Sequence, residues 1–299
     1  FIAAPMTGFN PDGSINLEII EPYARMLSKN GISGVFVNGS TGQGLSLSVK
    51  ERNYLAERWV TVTKKFGLKT IIHVGHEKHE ESNKMAIFSD KVGADGIAMM
   101  VQSLNVNSIE SLTKYIQTTA SLVPSIPIYY YHIPSETNLY FPMIELLKDA
   151  QKRIPNFSGI KYTNASDLAD FELCKSFKNS KYEIFFGRDE HLLDGLKAGA
   201  QSAVGSTYNI ALPLYYKLID AFNSGDLDRA NNLQQISKNL CNALYETGCF
   251  RSGLKSVLKI LGLDLGKVRE PDTNISEAEV SKLNLFLDSN GVLKYFNKV

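Results

Sequence analysis

The sequence predicts an α/β fold, a (β/α)8 TIM barrel with a C-terminal helical extension. Eight short apolar runs alternate with segments of helical period over residues 1–224. The runs are nearly continuous, as in Gly34-Val-Phe-Val37, which is typical of parallel strands covered on both faces. Gly31, Gly93 and Gly199 precede such runs, at positions where a helix commonly ends in a left-handed residue. Eight units without a long linker favour a closed barrel, and an open doubly wound sheet is the alternative.

The elements follow one another in a regular order. The predicted strands cover residues 2–5, 34–38, 69–74, 96–101, 126–132, 157–162, 182–186 and 202–206. The helices between them cover residues 17–29, 49–66, 80–92, 108–122, 142–153, 167–177, 190–198 and 212–223. After residue 224 the strand pattern stops, and residues 227–247, 251–261 and 276–288 predict three helices. We therefore expect a catalytic barrel over 1–224 and a helical extension over 225–299 that packs on it within a single structural domain.

Composition excludes several functional classes. The 299 residues are 43% hydrophobic, which is enough for a full core. The formal charge is +1, from 32 basic and 31 acidic residues mixed along the chain, unlike a protein that binds nucleic acid or a membrane surface. No apolar run approaches the roughly 18 residues of a membrane span, and residues 1–5 do not resemble a signal peptide. Cys174, Cys241 and Cys249 match no zinc spacing and predict reduced, buried thiols in a cytoplasmic protein.

The first candidate for chemistry is Lys161. In such a barrel the active site lies at the carboxyl ends of the strands, and Lys161 lies near the end of predicted strand six. Burial of a lysine lowers its pKa and yields a neutral amine that can attack a ketone. Alternatively, the side chain extends into solvent from the strand end. Position alone leaves both interpretations open.

Tyr131 ends predicted strand five, where a phenol could carry a proton between substrate and solvent. Alternation along the strand places Tyr129 and Tyr131 on one face and Tyr130 on the other. Filling of the aromatic core is the alternative role, and it is the favoured one for Tyr129 and Tyr130. For Tyr131 the two roles stay open.

Polar loops follow strands two and eight. Asn38-Gly-Ser-Thr-Gly42 offers hydroxyl and amide donors at Ser40 and Thr41, which together could hold a carboxylate. Gly205-Ser-Thr-Tyr-Asn209 is a similar donor loop. An ordinary polar turn is the alternative for the first loop. The second loop resembles a phosphate site of other barrels, but no second glycine cluster supports that role.

Gly187-Arg-Asp-Glu190 follows strand seven and places two adjacent carboxylates where they could accept hydrogen bonds from sugar hydroxyls. The alternative is the acidic first turn of a helix. His73, His76 and His79 recur every three residues, but a strand, a loop and a helix start do not readily converge three imidazoles. We therefore expect no metal.

Five motifs in this order resemble the N-acetylneuraminate lyase and dihydrodipicolinate synthase family, over nearly the whole chain. The motifs are Gly39-Ser-Thr-Gly42, Tyr131-His-Ile-Pro134, Gly159-Ile-Lys-Tyr-Thr163, Gly187-Arg-Asp-Glu190 and Gly205-Ser-Thr-Tyr-Asn209. The resemblance implies a homotetramer of barrels and no cofactor. Glu136 stands where the synthase branch has an arginine for a second carboxylate, so the likeness is to the sialic acid lyase branch.

The resemblance also implies roles for the residues. Lys161 would form an imine with the keto carbon of the substrate. Tyr131 would relay the proton of the C4 hydroxyl, and Ser40 and Thr41 would bind the carboxylate. The residues that would hold the hydroxylated tail are Thr163, Gly187, Asp189, Glu190 and Ser206.

Several positions depart from the family pattern. Gln43 replaces the usual glutamate, and Asn138 replaces a glycine in the segment that also carries Glu136. Residues 102–106 lack the aromatic pair often found after strand four. These changes leave two other interpretations open beside a sialic acid lyase: an aldolase or hydratase for a plainer 2-keto-3-deoxy sugar acid, and a non-catalytic barrel that binds a keto acid.

Overall fold

The computed structural model of the protein describes residues 1–102 and 105–299. Eight strands form one parallel sheet, in the order β7-β6-β5-β4-β3-β2-β1-β8. The strands, β1 to β8, are Ile2–Ala3, Gly34–Val37, Lys69–His73, Gly96–Met99, Ile128–His132, Phe157–Tyr162, Glu183–Phe186 and Val204–Gly205. A parallel bridge between Phe186 and Ala203 brings the ends of the sheet together. The predicted barrel is confirmed, and the open sheet is excluded.

Twelve helices accompany the strands in the described part of the chain. The first six, α1 to α6, are Ile20–Lys29, Val49–Lys65, His79–Val92, Ile109–Leu122, Pro134–Thr137 and Met143–Arg153. The others, α7 to α12, are Leu168–Ser176, Leu192–Lys197, Tyr208–Asn223, Leu227–Glu246, Phe250–Ile260 and Glu277–Ser289. Local signals set their ends: Ser48 and Glu51 form a capping box at the start of α2, and Gly93 ends α3 with a φ of 80°.

Two elements differ from the prediction. The short helix α5 follows β5 directly, because Pro134 occupies the first helical position, where a missing N–H is tolerated. Helix α9 begins at Tyr208 instead of residue 212, and its backbone departs from helical values at Ala211. The sequence predicts the later start because of Pro213, since a proline normally lies at the beginning of a helix or at a break in it.

Strand alternation separates two apolar layers. The barrel interior is a small cluster that includes Phe36, Tyr131 and Phe185, with Tyr129 packed against it. Tyr130 belongs instead to the larger layer between the strands and the helices. The predicted division of the three tyrosines between two faces is therefore confirmed, and it places the Tyr131 phenol inside the barrel.

The C-terminal helices contact the barrel through polar side chains. Gln234 of α10 accepts a hydrogen bond from the backbone N–H of Leu193 at 2.7 Å. Beyond α12, the Asn297 side chain accepts one from the N–H of Leu212 at 2.9 Å. These contacts attach α10 and the chain end to the elements around β7 and β8, and the division at residue 224 stays a prediction.

Within residues 1–102 and 105–299, none of the helices combines the length and apolar character that crossing a bilayer requires. The three cysteines are buried and free of disulfides.

Candidate active site

A cavity of about 330 Å³ opens at the carboxyl ends of the strands. The nine residues predicted from the sequence all line it, namely Ser40, Thr41, Tyr131, Lys161, Thr163, Gly187, Asp189, Glu190 and Ser206. They come from the ends of β2, β5, β6, β7 and β8 and from the loops that follow these strands. Residues that are far apart in the chain therefore share one concave site, as expected for a barrel of parallel strands.

Lys161 lies inside the barrel mouth. It is the fifth residue of β6, it is only 5% exposed, and it pairs in register with Tyr131 on β5. Its Nζ lies 4.0 Å from the centre of the Tyr131 ring and 4.3 Å from the centre of the Phe36 ring. The amine is thus held between two aromatic faces at the cavity wall, and the side chain does not extend into bulk solvent.

Burial lowers the pKa of Lys161 to about 7, although the nearby carboxylates of Asp189 and Glu136 act in the opposite direction. Desolvation disfavours the charged ammonium more than these carboxylates stabilise it. A substantial fraction of the amine is therefore neutral near pH 7, which is the form that attacks a carbonyl.

Lys255 shows that a lowered pKa alone does not make a site. Burial lowers its pKa to about 7 as well. Its Nζ, however, donates hydrogen bonds to the carbonyls of Leu265 at 3.1 Å and Lys267 at 2.7 Å. Lys255 does not line the cavity, whereas Lys161 does, so position distinguishes the two buried amines.

Tyr131 is 4% exposed and packs edge-on against Phe36, with 5.5 Å between ring centres. Burial and the negative charge of Glu136 raise the pKa of its phenol. The phenol is therefore protonated at neutral pH. It can move a proton only if it receives one as it gives one away.

The Gly39-Ser-Thr-Gly42 loop is held by several contacts. The Ser40 hydroxyl donates to the Glu136 carboxylate at 3.0 Å, and the Thr41 and Ser206 hydroxyls share a hydrogen bond of 2.6 Å. Arg251 of α11 donates from Nε to the Ser40 carbonyl at 2.8 Å. The loops after β2 and β8 therefore meet across the cavity, and α11 fixes the position of Ser40.

Asp189 is buried and already well bonded within the protein. Its carboxylate accepts hydrogen bonds from the N–H of Thr207 at 2.8 Å and from the Thr207 hydroxyl at 2.7 Å. Burial and the charge of Glu190 raise its pKa to about 6, against the opposing effects of Thr207 and Lys161. A side chain at Gly205 would overlap this carboxylate, so glycine is required where β8 passes it.

The remaining tail positions surround Asp189. Glu190 pairs with Arg188 at 2.8 Å, both partly exposed at the cavity. Thr163 donates from its hydroxyl to the carbonyl of His132 at 2.8 Å, so the end of β5 fixes the orientation of this side chain. Gly187 lies against Thr163, leaving no room for a larger side chain between β6 and β7. The arrangement combines charge and hydroxyl groups on one side of the cavity.

Two departures from the family pattern have local explanations. The Gln43 amide donates to the Arg269 carbonyl at 2.6 Å and accepts from the Arg269 N–H at 3.2 Å, a pair of bonds that an ionised glutamate could not make. Asn138 has a φ of 57°, in the left-handed region that asparagine tolerates better than most residues. The third departure, within residues 102–106, includes Ser103 and Leu104, which lie outside the described residues.

The three histidines do not converge. The Met100 N–H donates to Nε2 of the buried His73 at 3.2 Å, and His73 Nδ1 lies 3.2 Å from the Asn38 carbonyl. His76 accepts from a neighbouring backbone N–H, and His79 stacks on Tyr115 with 3.6 Å between ring centres. No cluster of three or more metal-ligating side chains occurs among residues 1–102 and 105–299.

Four of the lining residues that were not predicted from the sequence come from the C-terminal helices. They are Cys241, Tyr245, Phe250 and Arg251. A single helical face carries no signal that distinguishes packing on a barrel from lining a cavity. The extension therefore contributes to the site in a way that strand-end rules do not predict.

Comparison with known proteins identifies one family. Residues 1–289 match the dihydrodipicolinate synthetase family. The N-acetylneuraminate lyase of Gallus gallus is 36% identical over 292 residues, which cover 96% of this chain and 94% of that protein. The structure of the Proteus mirabilis N-acetylneuraminate lyase superposes with a TM-score of 0.93, 34% identity and 98% coverage of both chains. A catalytic lysine mutant of the Ruminococcus gnavus sialic acid aldolase superposes with a TM-score of 0.89 and 25% identity, covering 98% of this chain and 96% of that one.

Proposed function

Because the chain belongs to the dihydrodipicolinate synthetase family, we propose that it is a Schiff-base (class I) lyase that cleaves N-acetylneuraminate to N-acetylmannosamine and pyruvate. The observation that carries this proposal is the placement of Lys161. Its amine is buried at the cavity wall, beside the Tyr131 ring and with a lowered pKa. Similarity over nearly the full length to proteins named N-acetylneuraminate lyase supports the substrate.

The reaction begins at the keto carbon of the open-chain sugar acid. The neutral Lys161 amine adds to that carbon, and loss of water with uptake of one proton from solvent gives a protonated imine. The proton of the C4 hydroxyl passes to Tyr131, which gives its own phenol proton to solvent in the cavity as it accepts this one. The C3–C4 bond breaks at the same time, and the bond's electron pair moves into the imine. The aldehyde product leaves, the enamine is protonated at C3, and water releases pyruvate from Lys161. The imine serves as the electron sink, so the proposed mechanism needs no cofactor.

The cavity also suggests where each end of the substrate binds. The carboxylate would lie at Ser40 and Thr41, close to Lys161, and the hydroxylated tail would extend toward Asp189 and Glu190. The volume of about 330 Å³ falls within the range of small-molecule sites. Because Asp189 is fixed by Thr207, it presents a rigid acceptor to the tail.

We further propose a cytoplasmic homotetramer whose partners are small molecules and not nucleic acid or membranes. The three buried, unpaired thiols suit a reducing compartment. The near-neutral charge of +1 offers no electrostatic basis for binding polyanions.

The rate of imine formation should depend on pH through Lys161. Because its pKa is lowered to about 7, the neutral fraction rises with pH, from about one tenth at pH 6 to about nine tenths at pH 8. We expect the initial rate with pyruvate to rise about tenfold over this interval and then to level off. Aliquots quenched into borohydride measure it, and Lys161→Arg gives the background from other lysines. A rate that keeps rising toward pH 10 would show that the amine has an ordinary pKa.

A panel of substrates tests the proposed function. We expect the protein to release pyruvate from N-acetylneuraminate and N-glycolylneuraminate faster than from 2-keto-3-deoxygluconate, because Asp189 and Glu190 line a site for a long polar tail. A coupled pyruvate assay measures this. A preference for the shorter acid would indicate a plainer sugar-acid aldolase. Release from none of them would indicate a binding protein.

A further inference from the structure

The carbonyl of Ser40 is held from the C-terminal extension. Arg251, the second residue of α11, donates to this carbonyl from Nε at 2.8 Å, and the N–H of Gln43 donates to it at 3.1 Å. A carbonyl oxygen has two lone pairs, so both of its acceptor positions are occupied. Ser40 and Thr41, the residues that this peptide joins, both line the cavity. The orientation of a peptide in the cavity wall therefore depends on Arg251.

Asp272 fixes the guanidinium of Arg251. Arg251 Nη1 lies 2.9 and 3.0 Å from the two carboxylate oxygens of Asp272, whose side chain is only 16% exposed. Lys255 attaches the intervening segment to α11 through the carbonyls of Leu265 at 3.1 Å and Lys267 at 2.7 Å. Asp272 itself does not line the cavity, so its contact with the site runs through Arg251.

A second attachment lies three residues further along the loop. Gln43 exchanges two hydrogen bonds with the backbone of Arg269, at 2.6 and 3.2 Å. The Arg269 guanidinium donates in turn to both carboxylate oxygens of Glu51, at 2.8 and 3.0 Å, and these bonds lower the pKa of Glu51 to about 2. Glu51 belongs to the capping box of α2. Thr41 thus lies between two fixed points of the loop, and Arg251 supplies the nearer one.

Resting on the proposed function, we propose that Arg251 is a positioning residue for the substrate carboxylate, acting through the peptide between Ser40 and Thr41. In a trans peptide the carbonyl and the following N–H point in opposite directions. Holding the carbonyl therefore aims the Thr41 N–H away from the guanidinium, and this N–H makes no hydrogen bond within residues 1–102 and 105–299. A cationic donor at the carbonyl also polarises the peptide, which strengthens its N–H as a donor to a carboxylate.

The alternative is that Arg251 binds the substrate carboxylate directly by its charge. The two roles make opposite predictions for Asp272. If Arg251 orients the peptide, loss of the Asp272 charge loosens the guanidinium, and pyruvate binds more weakly. If Arg251 is a direct ligand, the same loss frees a cation at the cavity, and pyruvate binds more tightly. The pairing of Nη1 with Asp272 and of Nε with Ser40 favours the positioning role.

Arg251→Met tests the role of the hydrogen bond to Ser40, because it removes every donor and keeps an unbranched side chain. We expect the pyruvate concentration for half-maximal borohydride trapping to rise at least about tenfold. The value for pyruvamide, which lacks the carboxylate, should change less than about threefold, and so should kcat for N-acetylneuraminate at saturation. Arg229→Met, at an exposed position of α10, is the matched control and should leave all three unchanged.

Asp272→Asn keeps an acceptor for Arg251 and removes the charge. The half-saturating pyruvate concentration should rise by about three- to tenfold, in the same direction as in Arg251→Met. A fall in this value, or no change, would overturn the positioning role. Equal losses with pyruvate and pyruvamide in a folded Arg251→Met protein, checked by thermal unfolding, would overturn it as well. These outcomes leave the lyase intact, whereas a failure of the unmodified protein to trap pyruvate would overturn the proposed function itself.

Discussion

Lys161→Ala is expected to lose more than about 10⁴-fold in kcat for sialic acid cleavage, because no other group can form the imine. Lys255, the other buried lysine with a pKa near 7, donates to backbone carbonyls outside the cavity and cannot replace it. Alanine is smaller than lysine and fits at this position of β6. The substitution also removes an amine whose charged form is destabilised by burial. The fold should therefore persist, and steady-state pyruvate release measures the effect.

Lys161→Arg separates charge from nucleophilicity. Arginine keeps the positive charge but does not form the imine, so its activity should match that of Lys161→Ala. Thermal unfolding of both variants checks that the barrel is intact. Cleavage that persists in either well-folded variant would show that the reaction does not pass through Lys161.

Tyr131→Phe is expected to lower kcat by about 10² to 10⁴-fold, the usual contribution of a positioned acid–base group. The phenyl ring should still pack against Phe36 and the Lys161 side chain, since only the hydroxyl is removed. Pyruvate should therefore still form the imine, with its affinity changed only a few-fold. Turnover and borohydride trapping, measured on the same preparation, separate these two effects.

Tyr129→Phe is the matched control for this variant. Tyr129 lies two residues earlier on the same face of β5 and packs against Phe185 deeper in the barrel, with 5.4 Å between ring centres. It does not line the cavity, so activity should be close to that of the unmodified protein. Equal losses in turnover and imine formation for Tyr131→Phe would instead indicate that the phenol only supports the pocket.

The barrel fold and the proximity of Tyr131 to Lys161 could both be predicted from the sequence. Parallel strands covered on both faces require continuous apolar runs, and these runs located β1 to β8 to within a few residues. Once the strands are placed, their carboxyl ends must meet at one edge of the barrel. Tyr131 and Lys161 end adjacent strands, so their pairing in register follows from the topology.

Contacts that depend on loop geometry could not be predicted. In the sequence, Glu136 stands out only as a departure from the arginine of the synthase branch, whereas in the structure its carboxylate accepts a hydrogen bond from the Ser40 hydroxyl. Arg251 lies on a helix 90 residues beyond Lys161, and its bond to the Ser40 carbonyl depends on how that helix packs. Side-chain pairs of this kind join separate loops, and neither periodicity nor spacing encodes them.

Peptide mapping after borohydride reduction in the presence of pyruvate tests the central claim most directly. The account predicts that the mass of one reduced pyruvate is added to the peptide that contains Lys161, while the peptide with Lys255 stays unmodified. Both amines are buried with pKa values near 7, so the comparison asks whether position at the cavity decides reactivity. An unmodified Lys161, or an adduct carried elsewhere, would contradict the account.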